Sequence, residues 1–310
     1  MVGITGLEPM TSSSLTKRAT KLRHIPDSSI NITLYRNVRK NEFLGIRRES
    51  LCIILGKDKR ESVMEDRYFT TSDGVKLHYL EEGDSSSTII VLPGMGENAD
   101  TYQDIMHALS EDYHVYVLDY RGHGRSENGT EGYHIERLAK DVYELLDKAA
   151  IGYFSLVCHG MGNAVAWCLF ELFGQRRVRQ YVLVEGAPAR MTDDRWSQDE
   201  ALMYRGKREV PAYIAEKQLD AFAGEQPERR DMIADLYHDY VVRDWRREIC
   251  GIHKPTLIVM GQESDFAQQE LWNWLTEHIQ GSKLAVLDGG HDVHLDNTEA
   301  FVKEVRKFVK

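Results

Sequence analysis

The stretch "SLVCHGMGNAV", Ser155 to Val165, holds Cys158, His159, Gly160, Met161 and Gly162 in the spacing of a G-x-S-x-G bend. Such a bend is the strand-to-helix turn that lifts a nucleophilic serine above a sheet. Acyl transfer there needs an oxygen at the apex, and the apex residue is Gly160. Glycine adopts the left-handed backbone of the bend without steric cost, so loss of the hydroxyl spares folding while it removes covalent chemistry. Cys158 offers a thiol, a strong nucleophile once ionised. It stands two residues before the apex, where its side chain is expected to point into the packed region behind the turn. Cys168 is expected inside the following helix. Serine-type acyl-enzyme catalysis is excluded for this sequence.

A bend of this kind works only between a buried strand and the helix that follows it. The pattern supplies both: Phe154–Val157 is an apolar run, and a helix is predicted from Gly162 to Phe173. Upstream, Arg67–Thr71 and Val75–Leu80 alternate around Ser72-Asp73-Gly74, a hairpin signal. Further strands are expected at Thr88–Leu92, Val115–Leu118, Tyr181–Val184, Thr256–Met260 and Leu284–Leu287. Helices are expected at Tyr102–Leu109, Ile135–Lys148 and Glu299–Val309. Strands spaced by helices predict an α/β fold with a mostly parallel, doubly wound sheet covered on both faces. Between Gly186 and Lys254 the strand signal disappears. Helices are predicted at Glu200–Tyr204, Tyr213–Phe222 and Arg229–Arg247, an insertion placed to cover the carboxyl edge of the sheet.

Composition narrows the partners. The chain has 310 residues, 42% of them hydrophobic, with a net charge of −10. Residues 1–62 carry 12 Lys and Arg against 6 Asp and Glu, and the remainder carries 27 against 43. An acidic body disfavours nucleic acid, whose phosphates need clustered cations. No apolar run approaches a membrane span and no signal-peptide pattern opens the chain. Four cysteines without paired spacing predict neither a disulfide framework nor a zinc knuckle, and fit a reducing, cytoplasmic compartment. No cofactor and no metal ligand is expected from these spacings. Residues 1–63 lack sustained periodicity and are expected to be a poorly ordered, dispensable leader, the compact domain starting at Met64.

From Met64 onward the chain resembles an α/β-hydrolase-fold protein with a helical cap. Five segments carry the resemblance in order: "VLPGMGEN", "LDYRGHGRSE", "LVCHGMGNAV", "LIVMGQESDF" and "LDGGHDVHLDN". The resemblance implies a core at 64–185 and 255–310 and a cap at 186–254. It places Gly160 at the nucleophile position, His291 at the catalytic histidine and Asp265 at the orienting acid, with Glu185 as the fallback acid. It assigns the oxyanion-hole amides to Met95 and Met161, although Pro93-Gly94 stands where many relatives carry His-Gly. His123, His159 and His294 are expected to be structural, and Asp288 and Asp292 sit too close to His291 in sequence to face it. Trp196, Tyr204, Tyr213, Phe222, Tyr237 and Trp245 make the cap rich in aromatics, which suits a small or medium apolar ligand.

Three functions fit a bend without its serine. The first is an ester-type hydrolase lineage that has lost its nucleophile. The second is an enzyme in which His291 with Asp265 acts as a general base on water or an acidic C–H. The third is a non-catalytic ligand receptor or scaffold.

Overall fold

β-Branched and apolar residues dominate the runs that form the centre of the sheet, because those strands are buried on both faces. In β5 (Phe154–His159) and β7 (Thr256–Gly261) every residue is buried. The computed structural model describes residues 63–189, 229–264 and 268–310. All but Val63 of the expected leader, and the expected cap helices Glu200–Tyr204 and Tyr213–Phe222, lie outside the described residues.

Eight strands form one sheet in the order β1-β2-β4-β3-β5-β6-β7-β8. The strands not yet bounded are β1 (Glu65–Thr70), β2 (Lys76–Glu82), β3 (Thr88–Leu92), β4 (His114–Leu118), β6 (Val178–Val184) and β8 (Lys283–Leu287). β1 and β2 form the expected hairpin and β2 pairs β4 antiparallel; every pairing from β4 to β8 is parallel. Alternation then sorts the side chains. Ile90, Leu156, Tyr181 and Ile258 face one core, packed by α2 (Ile135–Lys148) and α3 (Met161–Phe173). Ile89, Val157, Val182 and Leu257 face the other, packed by α1 (Gln103–Ser110) and the closing helix α8 (Thr298–Phe308). The sheet is therefore covered on both faces, as expected.

One element departs from the sequence reading. The expected helix Arg229–Arg247 is two helices, α4 (Arg230–Val242) and α5 (Arg246–Cys250). Arg243 leaves the helical path with ψ 148°. Its guanidinium binds Asp239 in α4 and Glu136 in α2, while Trp245 is buried and donates its amide to the carbonyl of Pro188 at 2.6 Å. Tertiary contacts make this break, without a Gly or Pro to announce it. A further helix, α6 (Gln269–His278), starts where the sequence places one, near Gln268, and packs Leu271, Trp274 and Leu275 against the sheet. The short α7 (Val293–Asp296) precedes α8. No helix among the described residues is long and apolar enough to cross a membrane.

The turn after β4 is held by buried charge. The Asp119 carboxylate accepts from the amides of Ala99 (2.6 Å) and Arg125 (2.9 Å) and contacts His78 Nδ1 at 2.7 Å. Arg121, whose side chain is fully buried, makes a two-pronged bond to Asp141 at 2.7 and 2.9 Å and also reaches Asp73 and the carbonyl of Glu131. His123 packs edge-on against Tyr120 and contacts the Arg121 carbonyl through Nδ1. These three residues build the turn, and the Asp119 carboxylate ties it to Ala99, where the loop after β3 ends.

Candidate active site

Gly160 leaves β5 with φ 48° and ψ −116°, and α3 begins at the next residue. Its amide donates to the Val184 carbonyl at 3.1 Å. The Asn163 side-chain amide donates to the carbonyls of Gly160 and Val184, and the Tyr181 hydroxyl donates to Asn163 Oδ1 at 2.7 Å. The bend is thus pinned to the end of β6. Its second glycine serves a different end: a Cβ on Gly162 would stand 2.2 Å from the carbonyl oxygen of Leu92. Only glycine lets α3 approach the end of β3 this closely.

A Cβ on Gly160 would meet Nε2 of His291 at 3.6 Å and Cα of Gly94 at 3.8 Å, ordinary contact distances. The elbow, the histidine loop and the loop after β3 therefore converge where a serine would stand. On its other side, His291 presents Nδ1 to Glu185 Oε2 at 3.4 Å. The expected orienting acid, Asp265, lies outside the described residues. Among the described residues, the carboxylate at His291 is the fallback, Glu185.

Glu185 follows β6, is 1% exposed, and holds φ at 49°. That conformation costs a non-glycine residue about 1–3 kcal/mol, and the surroundings must hold it there. They do so through the side chain. Its carboxylate accepts from the Gly261 amide and from Ser264 Oγ, both at 2.5 Å, and its own amide donates to the Val259 carbonyl.

Met161, 1% exposed, opens α3, so its amide belongs to the first turn, which has no partner within the helix. Met95 is half-buried and packs against Ile233 and Tyr237 of α4. An apolar wall thus borders the loop after β3. Two shallow clefts of about 390 and 420 Å³ lie elsewhere, one beside Thr88 and His114 and the other beside Thr71 and Tyr143. Neither reaches His291.

Cys158 is fully buried in the core behind the turn, and burial pushes its thiol well above the ordinary range. Cys168 is also buried, its thiol pushed up by burial to about 12. Cys250 is exposed. Iodoacetamide on the native protein should modify Cys250 and spare Cys158 and Cys168 until the chain is unfolded. Peptide mass mapping checks this, and modification of Cys158 as fast as Cys250 would return the thiol to consideration as a nucleophile.

Behind the elbow lies a polar cluster absent from the sequence expectations. His159, 4% exposed, places Nδ1 2.9 Å from Glu97 Oε1 and donates from Nε2 toward the His291 carbonyl at 3.0 Å. Glu97 Oε2 accepts from the Tyr102 hydroxyl at 2.6 Å and from the Gly94 amide. His294, 1% exposed, stacks on Tyr102 and brings Nε2 within 3.6 Å of Glu97 Oε1. Burial opposes charge on Glu97, but His159 and the Tyr102 hydroxyl bring its carboxyl down to about 2. Burial and the neighbouring His159 take His294 down to about 3, so it is neutral at pH 7. Loops 62 and 135 residues from one another in sequence contribute these groups, which is why no local motif signals them.

The family model described as alpha/beta hydrolase fold matches residues 87–229. Mouse serine hydrolase BPHL is 26% identical over 260 residues, covering 77% of this chain and 84% of that protein. The 3-oxoadipate enol-lactonase 1 of Acinetobacter baylyi is 24% identical, covering 78% and 96% respectively. Among solved structures, an esterase from Exiguobacterium antarcticum superposes with a TM-score of 0.63 at 22% identity, covering 79% of this chain and 99% of the other. The enol-lactonase from Burkholderia xenovorans LB400 gives 0.62 at 24% identity, covering 78% and 99%.

Proposed function

From the premise that this chain has the α/β-hydrolase fold, we propose that it binds a small or medium apolar ester or lactone above Gly160 and hydrolyses it without a covalent intermediate. His291, oriented by Glu185, is the general base. One observation carries the reading: Nε2 of His291 faces the empty apex at 3.6 Å while Nδ1 faces a buried carboxylate. The space a serine side chain would fill is the space an attacking water would need.

Water attacks the acyl carbon and gives its proton to Nε2 of His291. The carbonyl π pair moves to oxygen, where the amides of Met95 and Met161 take the developing charge. Glu185 offsets the imidazolium charge and keeps the proton of neutral His291 on Nδ1. The tetrahedral intermediate collapses, the C–O bond breaks, and Nε2 returns its proton to the leaving alkoxide. Met95 with Ile233 and Tyr237 supports an apolar acyl group. The curated relatives include enol-lactonases and a serine hydrolase, which favours this substrate class over an acidic C–H.

The test is turnover of chromogenic esters and lactones by the wild-type chain, His291→Ala and Glu185→Gln. General-base catalysis contributes about 10²–10⁴ in rate, so His291→Ala should lose about 10²-fold or more in kcat with KM little changed. Glu185→Gln should lose less, with circular dichroism showing a folded chain. Wild-type turnover unaffected by His291→Ala overturns the base. No turnover in any form, with ligands still bound, replaces the enzyme by a receptor.

A further inference from the structure

The buried cluster behind the elbow has more ligand atoms than hydrogens to satisfy them. Nε2 of His159 faces a carbonyl oxygen, which only accepts, so Nε2 carries a proton. With Nε2 committed as a donor, Nδ1 is the nitrogen left to ligate. It pairs with Glu97 Oε1 at 2.9 Å without an aligned hydrogen bond, so an ion can take the place of the proton between them. His294 is 99% buried and neither of its ring nitrogens has a hydrogen-bond partner among the described residues. An unsatisfied buried polar group is rare enough to require an explanation, and an ion is one. Glu97 Oε2 is occupied by the Gly94 amide and the Tyr102 hydroxyl, which leaves Oε1 facing both rings.

We propose that Glu97, His159 and His294 form a binding site for a divalent transition ion of the zinc class. One ligand atom from each residue lies within 4.8 Å of the others. The separations from Oε1, 2.9 Å to His159 Nδ1 and 3.6 Å to His294 Nε2, bracket the roughly 3.3 Å edge of a tetrahedron with ligands about 2.0–2.1 Å from zinc. Two imidazoles and one carboxylate suit zinc or cobalt and not magnesium or calcium, which take oxygen sets. An outer shell is already in place. His159 donates its other ring N–H to a backbone carbonyl, and the free oxygen of Glu97 is held by two donors. The neighbouring set of His159, His291 and Asp292 is the weaker one, because His159 would have to ligate through the nitrogen that already donates to the His291 carbonyl.

The site lies behind the chemistry. Glu97 belongs to the loop after β3, His159 to the elbow and His294 to α7, so one ion would tie together the three segments that converge at Gly160. This assignment does not rest on ester hydrolysis and survives its failure.

The experiment titrates the chelator-treated full chain with cobalt and then zinc. One cobalt per chain should bind, with the visible ligand-field absorption of a four-coordinate nitrogen–oxygen site, and zinc should displace it and raise Tm. His294→Gln and Glu97→Gln should each weaken binding at least 10-fold. X-ray absorption of the zinc-loaded wild type should show two imidazoles and no sulfur, a measurement independent of whether either variant folds. No cobalt spectrum, binding undiminished in both folded variants, or a shell with sulfur or fewer than two imidazoles overturns the site.

Discussion

Gly160→Ser raises the hydrolysis of short chromogenic esters by about 10²-fold or more and makes the protein react with a serine-directed phosphonate. In serine hydrolases the nucleophile is worth on the order of 10⁶ in turnover, while about 10³–10⁴ over water survives its removal. Among the described residues, a new Cβ at 160 meets no atom closer than 3.6 Å, and that atom is the nitrogen that must take the proton. A hydroxyl on that carbon has hydrogen-bond reach of Nε2, roughly 2.6–3.2 Å. The same substitution forces a side chain onto φ 48°, so stability should fall by about 1–3 kcal/mol. Opposite signs for activity and stability are the signature, read by burst kinetics and denaturant unfolding. A stable variant with neither labelling nor a burst would show that the apex is misaligned for attack.

Arg121→Met is the substitution with the largest expected loss of stability, about 3–5 kcal/mol. Burial holds the Asp141 carboxyl above its ordinary range despite the arginines beside it. Removing Arg121 takes away a two-pronged bond and leaves that carboxylate in the core with Arg137, 2.7 Å away, as its charged partner. For a domain of this size the loss corresponds to a Tm decrease on the order of 10 °C. The double replacement Arg121→Met with Asp141→Leu should lose less than Arg121→Met alone, because no buried charge is left uncompensated. Urea unfolding of the four forms in a double-mutant cycle measures the coupling. A double variant as unstable as the sum of the two singles would assign the stability to other contacts of Arg121.

The sheet was legible because its signal is local. Thr88–Leu92 and Ile135–Lys148 have the same bounds in sequence and structure, one as an unbroken apolar run and the other through Ile135, Leu138, Val142 and Leu145 on one face. Tyr102 was legible as helical but not as the end of a 3-10 turn, which Asn98 starts by accepting the Thr101 amide. The break at Arg243 was hidden because its cause is an ion pair with Glu136, over a hundred residues earlier. The site divides the same way. The elbow and His291 announce themselves by adjacent glycines, whereas Glu185 is marked in sequence only as the residue that ends a strand. Nothing local says that its carboxylate bridges to Ser264 and His291.

That bridge makes the apex at 160 and the carboxylate at 185 unequal under mutation. Position 160 needs only a backbone that glycine adopts without strain, so no side chain there is required for folding. The carboxylate at 185 fastens the ends of β6 and β7 together, so discarding it loosens the fold before it alters any reaction. Tolerance of substitution is therefore one-sided. The apex can change while the histidine stays aimed, because the carboxylate that faces it is held by the fold as well.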